Sequence, residues 1–177
     1  MQIHVSPEIN RITEKAVGMS VNQGQFFVGV EHLFAALLDD TDCLPVTFRD
    51  TYLNKLFSVH REIQRYVWTG RVSTEQGEVF HTPRAIECTT QANKIAERLA
   101  RGPATAGHLL AAMLQDKLSA PSRAMKALEM DRETCLKALM DELSPSVGRL
   151  CKQMNRLTRD HLPDEHSRCG SALFEQC

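Results

Sequence analysis

Residues 31–38 read Glu-His-Leu-Phe-Ala-Ala-Leu-Leu, and residues 107–114 read Gly-His-Leu-Leu-Ala-Ala-Met-Leu. The two octapeptides share the pattern His-Leu-x-Ala-Ala-x-Leu, which superposes His32 on His108. The same offset superposes Ser6-Pro7 on Thr82-Pro83. Self-similarity at one constant offset is the signature of duplicated structural units. The sequence therefore predicts two copies of one unit between its start and Leu143.

The residue pattern of each unit is helical. Ser6 and Thr82 are good N-cap residues, and each precedes a proline at the first helical position. The apolar residues that follow recur at helical spacing, as Ile9, Ile12, Ala16 and Met19, and as Ala85, Cys88, Ala92, Ile95 and Leu99. The repeated octapeptide is apolar on nearly every face, which is typical of a helix in the middle of a core.

Two more helices are expected to complete each unit. They are predicted at Cys43–Asp50 and Leu53–Val67 in the first unit, and at Ser122–Glu129 and Asp131–Leu143 in the second. No segment sustains the period-two alternation of a strand, so no sheet is expected.

The predicted fold class is all-α, with two tandem four-helix repeats packed by pseudo-twofold symmetry around one core. Repeat one is placed at about 3–67, a connecting loop at 68–80 and repeat two at about 81–143. Residues 144–177 contain interrupting prolines and glycines and are interpreted as a linker.

Composition excludes several classes of protein. The formal net charge is -1, so no general field attracts nucleic acid or anionic membranes. No apolar run reaches the roughly 18 residues of a membrane span, and Met1–Glu8 lacks the basic and apolar regions of a secretory signal. The protein is therefore expected to be cytoplasmic, without nucleic acid or membrane as a partner.

Cysteine and histidine spacing indicates neither a metal site nor a catalytic one. None of the six cysteines forms a Cys-x-x-Cys pair, and Cys88 and Cys135 fall on apolar helix positions as small core residues. His161, His166 and Cys169 could bind zinc, but their spacing is irregular. No nucleophile can be paired with a base from spacing, so no enzyme activity is expected of these residues.

The duplicated Ser/Thr-Pro start and Glu-His-Leu motif resemble the Clp N-terminal domain family, over about residues 3 to 143. That family stands at the front of Clp/Hsp100 AAA+ unfoldases, where it binds clients and adaptors. The residues Leu173-Phe174-Glu175-Gln176-Cys177 look like the linker that precedes the first ATPase module. The resemblance therefore implies a longer parent protein with an ATPase motor.

No Walker A sequence occurs in these 177 residues, so they are not expected to hydrolyse ATP by themselves. The resemblance implies ATP and Mg for the other modules of the parent protein. Its expected partners are unfolded or tagged client proteins, an adaptor and a ClpP-like protease. The fragment is expected to be monomeric and the parent hexameric. A free-standing Clp-repeat adaptor without a motor is the alternative interpretation.

The resemblance also suggests binding residues. In the ClpC-like branch, the motif glutamate and the helix-start hydroxyl of each unit are associated with phosphoarginine on tagged substrates. Ser6 and Glu31 match this pair in the first unit, whereas the second unit has Thr82 but Gly107 in place of the glutamate. Two equivalent phosphoarginine pockets are therefore not expected.

Four further residues leave two interpretations open. His32 and His108 either contact a ligand at a helix start, where free N–H groups attract anions, or are partly buried and hold the two units together through hydrogen bonds. Phe26 and Phe27 either pack in the core or line an apolar groove for unfolded segments.

Overall fold

The computed structural model describes residues 6–67, 78–99 and 102–144, which all fall within one compact unit, Met1–Pro145. The predicted linker after residue 144 and most of the predicted loop lie outside these ranges. The described elements are the helices α1 (Pro7–Asn22), α2 (Val30–Leu38), α3 (Val46–Val67), α4 (Pro83–Arg98), α5 (Ala106–Gln115), α6 (Ala120–Ala127) and α7 (Arg132–Leu143), and the strands β1 (Phe27–Val28) and β2 (Phe80–His81).

The predicted helix caps are confirmed. The Ser6 hydroxyl accepts a hydrogen bond from the backbone N–H of Ile9 at 3.1 Å, and Thr82 accepts one from Ala85 at 3.2 Å. Both cap residues have extended backbone, and proline follows each as the first helical residue. Such a side chain satisfies a backbone donor that has no partner within the helix.

The two central helices, α2 and α5, form the core. Eight of nine residues are buried in α2, and nine of ten in α5. Burying a leucine or phenylalanine side chain contributes about 1.5–3 kcal/mol, so these helices supply much of the hydrophobic stabilisation.

The packing order is reciprocal between the two units. Helix α1 packs on α2 and also reaches α5, while α4 packs on α5 and reaches α2. Helices α1 and α4 begin at Pro7 and Pro83, which the repeat superposes, and each has 16 residues. The expected all-α fold with pseudo-twofold related units is confirmed.

The prediction of two helices over Cys43–Asp50 and Leu53–Val67 is wrong. The chain instead makes a 3-10 turn at Thr41–Cys43 and then one continuous helix, α3, over Val46–Val67. Thr51 and Tyr52 between the predicted helices place no helix breaker in the chain, so α3 continues through them. Within the described ranges, the first unit therefore has three α-helices, whereas the second has the predicted four.

The expectation that no sheet forms is also wrong. Strands β1 and β2 pair in parallel, with Phe27 opposite Phe80 and Val28 opposite His81. Each strand is two residues long, too short to show an alternating pattern in the sequence. Phe80, placed in the connecting loop by prediction, belongs to this ladder.

Candidate binding cleft

The short ladder brings together the starts of two helices from different units. The N–H of Phe80 donates to the carbonyl of Phe26 at 3.1 Å, and the N–H of Thr82 donates to that of Val28 at 2.9 Å. Thr82 caps α4, and Val28 lies just before the N-cap of α2. The start of α4 is therefore fixed beside the start of α2.

A cavity of about 500 Å³ lies where these helix starts meet that of α6. Its lining residues come from all three helix starts and the turn before α6, and are Gly29, Val30, Glu31, Thr82, Arg84, Leu118, Ala120 and Arg123. The side chains of Arg84 and Arg123 give the cavity a basic wall. Leu118, which is 65% exposed, adds an apolar edge.

Glu31 folds its carboxylate back over the beginning of its own helix. A β-carbon at Gly29 would come within 2.1 Å of Oε1 of Glu31, so a larger residue at this N-cap would displace the carboxylate. Burial raises the pKa of Glu31, and a hydrogen bond from its own backbone N–H opposes this shift. A carboxylate that is partly desolvated in this way favours a cationic partner.

A second cavity, of about 380 Å³, continues the first along α4. The two share Val30 and Arg84, and the second is further lined by Glu87, Cys88, Gln91, Ala112, Met113, Gln115, Asp116 and Ser119. We call the two cavities together the α4 groove. The apolar side chains of Val30, Cys88 and Met113 line its floor.

One ion pair lies across this groove. Arg84 approaches Asp116 at 3.4 Å, and the two side chains are 46% and 39% exposed. An ion pair so accessible to water contributes little to stability. Arg84 can therefore exchange Asp116 for an acidic group of a ligand at small cost.

The cleft brings Glu31 together with Thr82 of the second unit. The resemblance paired Glu31 with Ser6 of the same unit, whereas the cavity joins Glu31 with Thr82 of the other unit. The exchange follows from the reciprocal packing, in which α4 reaches α2. Arg84 and Arg123 were not identified from the sequence as candidate binding residues. Arg84 was recognisable as the second residue after the helix cap Thr82.

His32 and His108 are buried, with 0% and 2% of their surface exposed. Nδ1 of His32 accepts the backbone N–H of Gly29 at 3.1 Å, and Nδ1 of His108 accepts that of Thr105 at 3.1 Å. These bonds close the first turn of each histidine's own helix and do not join the two units. The burial agrees with the packing interpretation, and neither histidine is among the residues that line the α4 groove.

Phe26 and Phe27 are half-buried beside the strand ladder. The ring of Phe27 lies 5.8 Å from that of His32, edge to face, and 6.3 Å from that of Phe80. Phe80 is 59% exposed. These aromatic residues lie at the edge of the core. They are partly packed, as the core interpretation predicts, and partly exposed, as the groove interpretation predicts.

Metal binding and membrane insertion are two further possibilities for the described ranges. There, no three histidine, cysteine or acidic side chains are arranged to hold a metal ion. His161, His166 and Cys169 lie outside these ranges. Within the same part of the chain, the helices all lack the length or the apolar composition needed to cross a bilayer. Cys88 and Cys135 are buried as small core residues, as predicted.

The fold and the groove define a class: an all-helical domain of two related units with a cleft between helix starts. A family model described as the Clp repeat (R) N-terminal domain matches residues 4–128, well over half of the chain. The chain belongs to this family. The match ends before α7, which begins at Arg132.

Solved structures agree on the fold. The Hsp104 N-terminal domain from Candida albicans has a TM-score of 0.63 at 18% identity, over 78% of this chain and 90% of that one. A chain from a study of a malarial protein secretion system has a TM-score of 0.61 at 11% identity, over 81% and 97%. No curated protein matches the sequence significantly.

Proposed function

We propose that this domain docks client proteins and adaptors for an ATP-dependent Clp-type unfoldase. The observation that carries the proposal is the α4 groove, which joins an apolar floor to a basic wall in a member of the Clp repeat family. Concave apolar surfaces with a few convergent polar groups are the usual binding sites of proteins. The domain's task is binding, and the bond-breaking chemistry belongs to other modules.

The rest of the assembly is part of the same proposal. A AAA+ ring in the parent protein, hexameric and supplied with ATP and Mg, would unfold the client. The ring would then release the client refolded or pass it to a ClpP-like protease. A docking domain tethered to such a ring raises the local concentration of client at the pore, without needing tight binding of its own.

Tagged clients would use the same cleft. Glu31 is suited to a guanidinium group, and Thr82 lies beside it as the helix-start hydroxyl. These are the two residue types that the family resemblance connects with phosphoarginine. Gly107 supplies no carboxylate in the second unit, so a single tag position is proposed.

The test is a titration of the full chain against a permanently unfolded protein, such as reduced carboxymethylated lactalbumin, followed by fluorescence anisotropy. We expect saturable, reversible binding of the unfolded form and none of the native, disulfide-bonded form. Equal binding of both forms, or binding of neither the unfolded protein nor any adaptor, would refute the docking function.

A further inference from the structure

The pseudo-twofold fold creates two related places for a groove, one along α4 and one along α1. The offset that superposes His32 on His108 relates them, so that Arg84 corresponds to Glu8 and Glu31 to Gly107. The groove along α4 has been described above. The corresponding place along α1 is instead filled by side chains of the domain itself.

Glu8 fills the related place at the start of α5. Its Oε1 accepts a hydrogen bond from the backbone N–H of Ala106 at 2.8 Å. A carboxylate is well placed at a helix N-terminus, where the backbone N–H groups and the helix dipole attract negative charge. The cation Arg84 stands at the corresponding position of the α4 groove. The start of α2 beside it is covered by the carboxylate of Glu31 from its own helix.

Gly107 is covered by Leu143 at the end of α7 and by Pro45. A β-carbon at this residue would lie 2.9 Å from Cδ2 of Leu143 and 3.2 Å from Cδ of Pro45. Such distances are shorter than normal van der Waals contact. The place that Glu31 occupies in the first unit is therefore packed shut in the second.

Two solvent-accessible ion pairs also lie on the α1 side further along. Arg11 pairs with Asp40, and Lys15 pairs with Asp39 at 3.1 Å, which links α1 to the end of α2. The counterparts in the second unit cannot form these links. They are Glu87 with Asp116, two like charges, and Gln91 with Gln115, two neutral side chains. Ile12 also becomes the smaller Cys88 in the floor of the α4 groove.

We infer that the domain binds its partner in the α4 groove alone, with one site per chain, and that the occupant is a peptide segment with an acidic side chain flanked by apolar ones. This inference rests on the proposed docking function and specifies its ligand. The acidic side chain lies between Arg84 and Arg123, near the starts of α2, α4 and α6, and the apolar side chains cover Leu118 and the groove floor.

Charge complementarity selects this occupant. Two arginines and one carboxylate, that of Glu31, line the wider cavity, and the starts of α4 and α6 beside it contribute partial positive charge. The carboxylate of Glu31 is turned back over the start of α2, where it accepts a hydrogen bond from its own backbone N–H. A lysine in the ligand would meet two like charges, Arg84 and Arg123, against one opposite charge, Glu31, so a glutamate is favoured over a lysine.

The experiment titrates the isotope-labelled full chain with capped leucine-alanine peptides that carry one central glutamate, glutamine or lysine. Calorimetry gives the stoichiometry, and NMR shift changes give the location. We expect one site, shift changes around Thr82, Arg84 and Arg123, and binding of the glutamate peptide at least about tenfold tighter than that of the lysine peptide.

The double variant Arg84→Glu, Arg123→Glu should reverse this preference, while Lys137→Glu, an exposed charge reversal on α7, should leave it unchanged. Circular dichroism checks that each variant is folded, and mapping on the unaltered chain does not depend on any variant.

Two equal sites, or shift changes along α1, would overturn the inference. If the unfolded client still binds the double variant as before, the single-groove inference falls and the docking function stands. If neither the peptides nor the client bind, both fall.

Discussion

His32 shows how a polar side chain is accommodated in the middle of an apolar core. Nδ1 accepts the N–H of Gly29, so the ring proton resides on Nε2 of a neutral imidazole. Burial lowers the pKa of His32 from 6.5 to about 4. The side chain thus completes the first turn of α2 as a neutral acceptor.

This pKa makes the stability of the fold depend on pH. Because the folded value lies below the unfolded one, the unfolded chain takes up the proton first as the pH falls. The contribution of neutral His32 is fully present above pH 6.5 and is lost progressively down to about pH 4. It is on the order of 3 kcal/mol at most.

The variant His32→Asn keeps an acceptor near the Nδ1 position and removes the titration. Urea unfolding at pH 7 and at pH 4.5 should show a smaller loss of unfolding free energy in the variant than in the unaltered chain. Glu31, whose raised pKa acts in the opposite direction, is present in both proteins, and its Oε1 lies 3.6 Å from Nδ1 of His32. Identical losses in the two proteins would contradict the role assigned to His32.

Two helical glycines, Gly18 and Gly107, differ in the space around them. Gly18 is exposed in α1, with nothing within 4 Å of an added β-carbon, whereas a β-carbon at Gly107 would press on Leu143 and Pro45. Gly18→Ala should raise the unfolding free energy by about 0.5–1 kcal/mol. Gly107→Ala should fall short of that gain, because its neighbours must shift. Equal gains in urea unfolding would show that the place beside α5 is not packed shut.

The helices of the two units begin alike and end differently. Helix α3 runs without a break, whereas the corresponding chain in the second unit is interrupted between α6 and α7. Glu129 there has a left-handed backbone, with φ of 53°, and Asp131 caps α7 by accepting the N–H groups of Glu133 and Thr134. The interruption turns α7 so that its last residues reach the first unit.

The end of α7 caps the start of α3. The carboxylate of Glu142 accepts the N–H groups of Thr47 at 3.1 Å and Phe48 at 2.7 Å. This arrangement supplies acceptors for two backbone donors that no helical carbonyl can reach. It also ties the last helix of the domain to the first unit.

Removing the Glu142 cap should lower the stability of the domain. Glu142→Ala should lower the unfolding free energy by about 1–2 kcal/mol, because two N–H groups lose a charged acceptor. Glu142→Gln, which keeps one neutral acceptor, should lose less. Glu14→Ala, at an exposed position of α1, should stay within about 0.5 kcal/mol of the unaltered chain. Chemical denaturation distinguishes these outcomes, and a harmless Glu142→Ala would exclude the cap.

At the scale of the whole molecule, neither unit contains its own core. Helix α2 contacts α4, α5 and α6 of the second unit, and α3 contacts α6 and α7. A single unit would leave one side of its central helix exposed to water. Chains of this size bury a small share of their surface and are only marginally stable, so the loss of the partner unit should unfold them.

Fragments of the two units should therefore be unfolded when separate. We expect residues 1–77 and residues 78–177 each to give poorly dispersed amide NMR spectra alone, and a dispersed spectrum when mixed. The intact chain should unfold in one cooperative transition. A fragment that folds by itself, or two separate transitions, would show that the units do not share a core.

Local and periodic features of this protein were determined by its sequence. The caps at Ser6 and Thr82, the apolar stripes and the duplicated central helix all follow from residue types at short spacing, and the structure confirms them. The single helix α3 and the two-residue strands were missed, because no breaker and no alternation mark them.

Only the tertiary structure decided where the candidate cleft lies. Glu31 meets Thr82 of the other unit, while Glu8 and Leu143 fill the related place, and these partners are far apart in the chain. Contacts of this kind depend on how helices pack, and they leave no periodic signal in the sequence. Among the described residues, two units of similar pattern therefore differ in what lies beside their central helices: the α4 groove beside α2, and Glu8 and Leu143 beside α5.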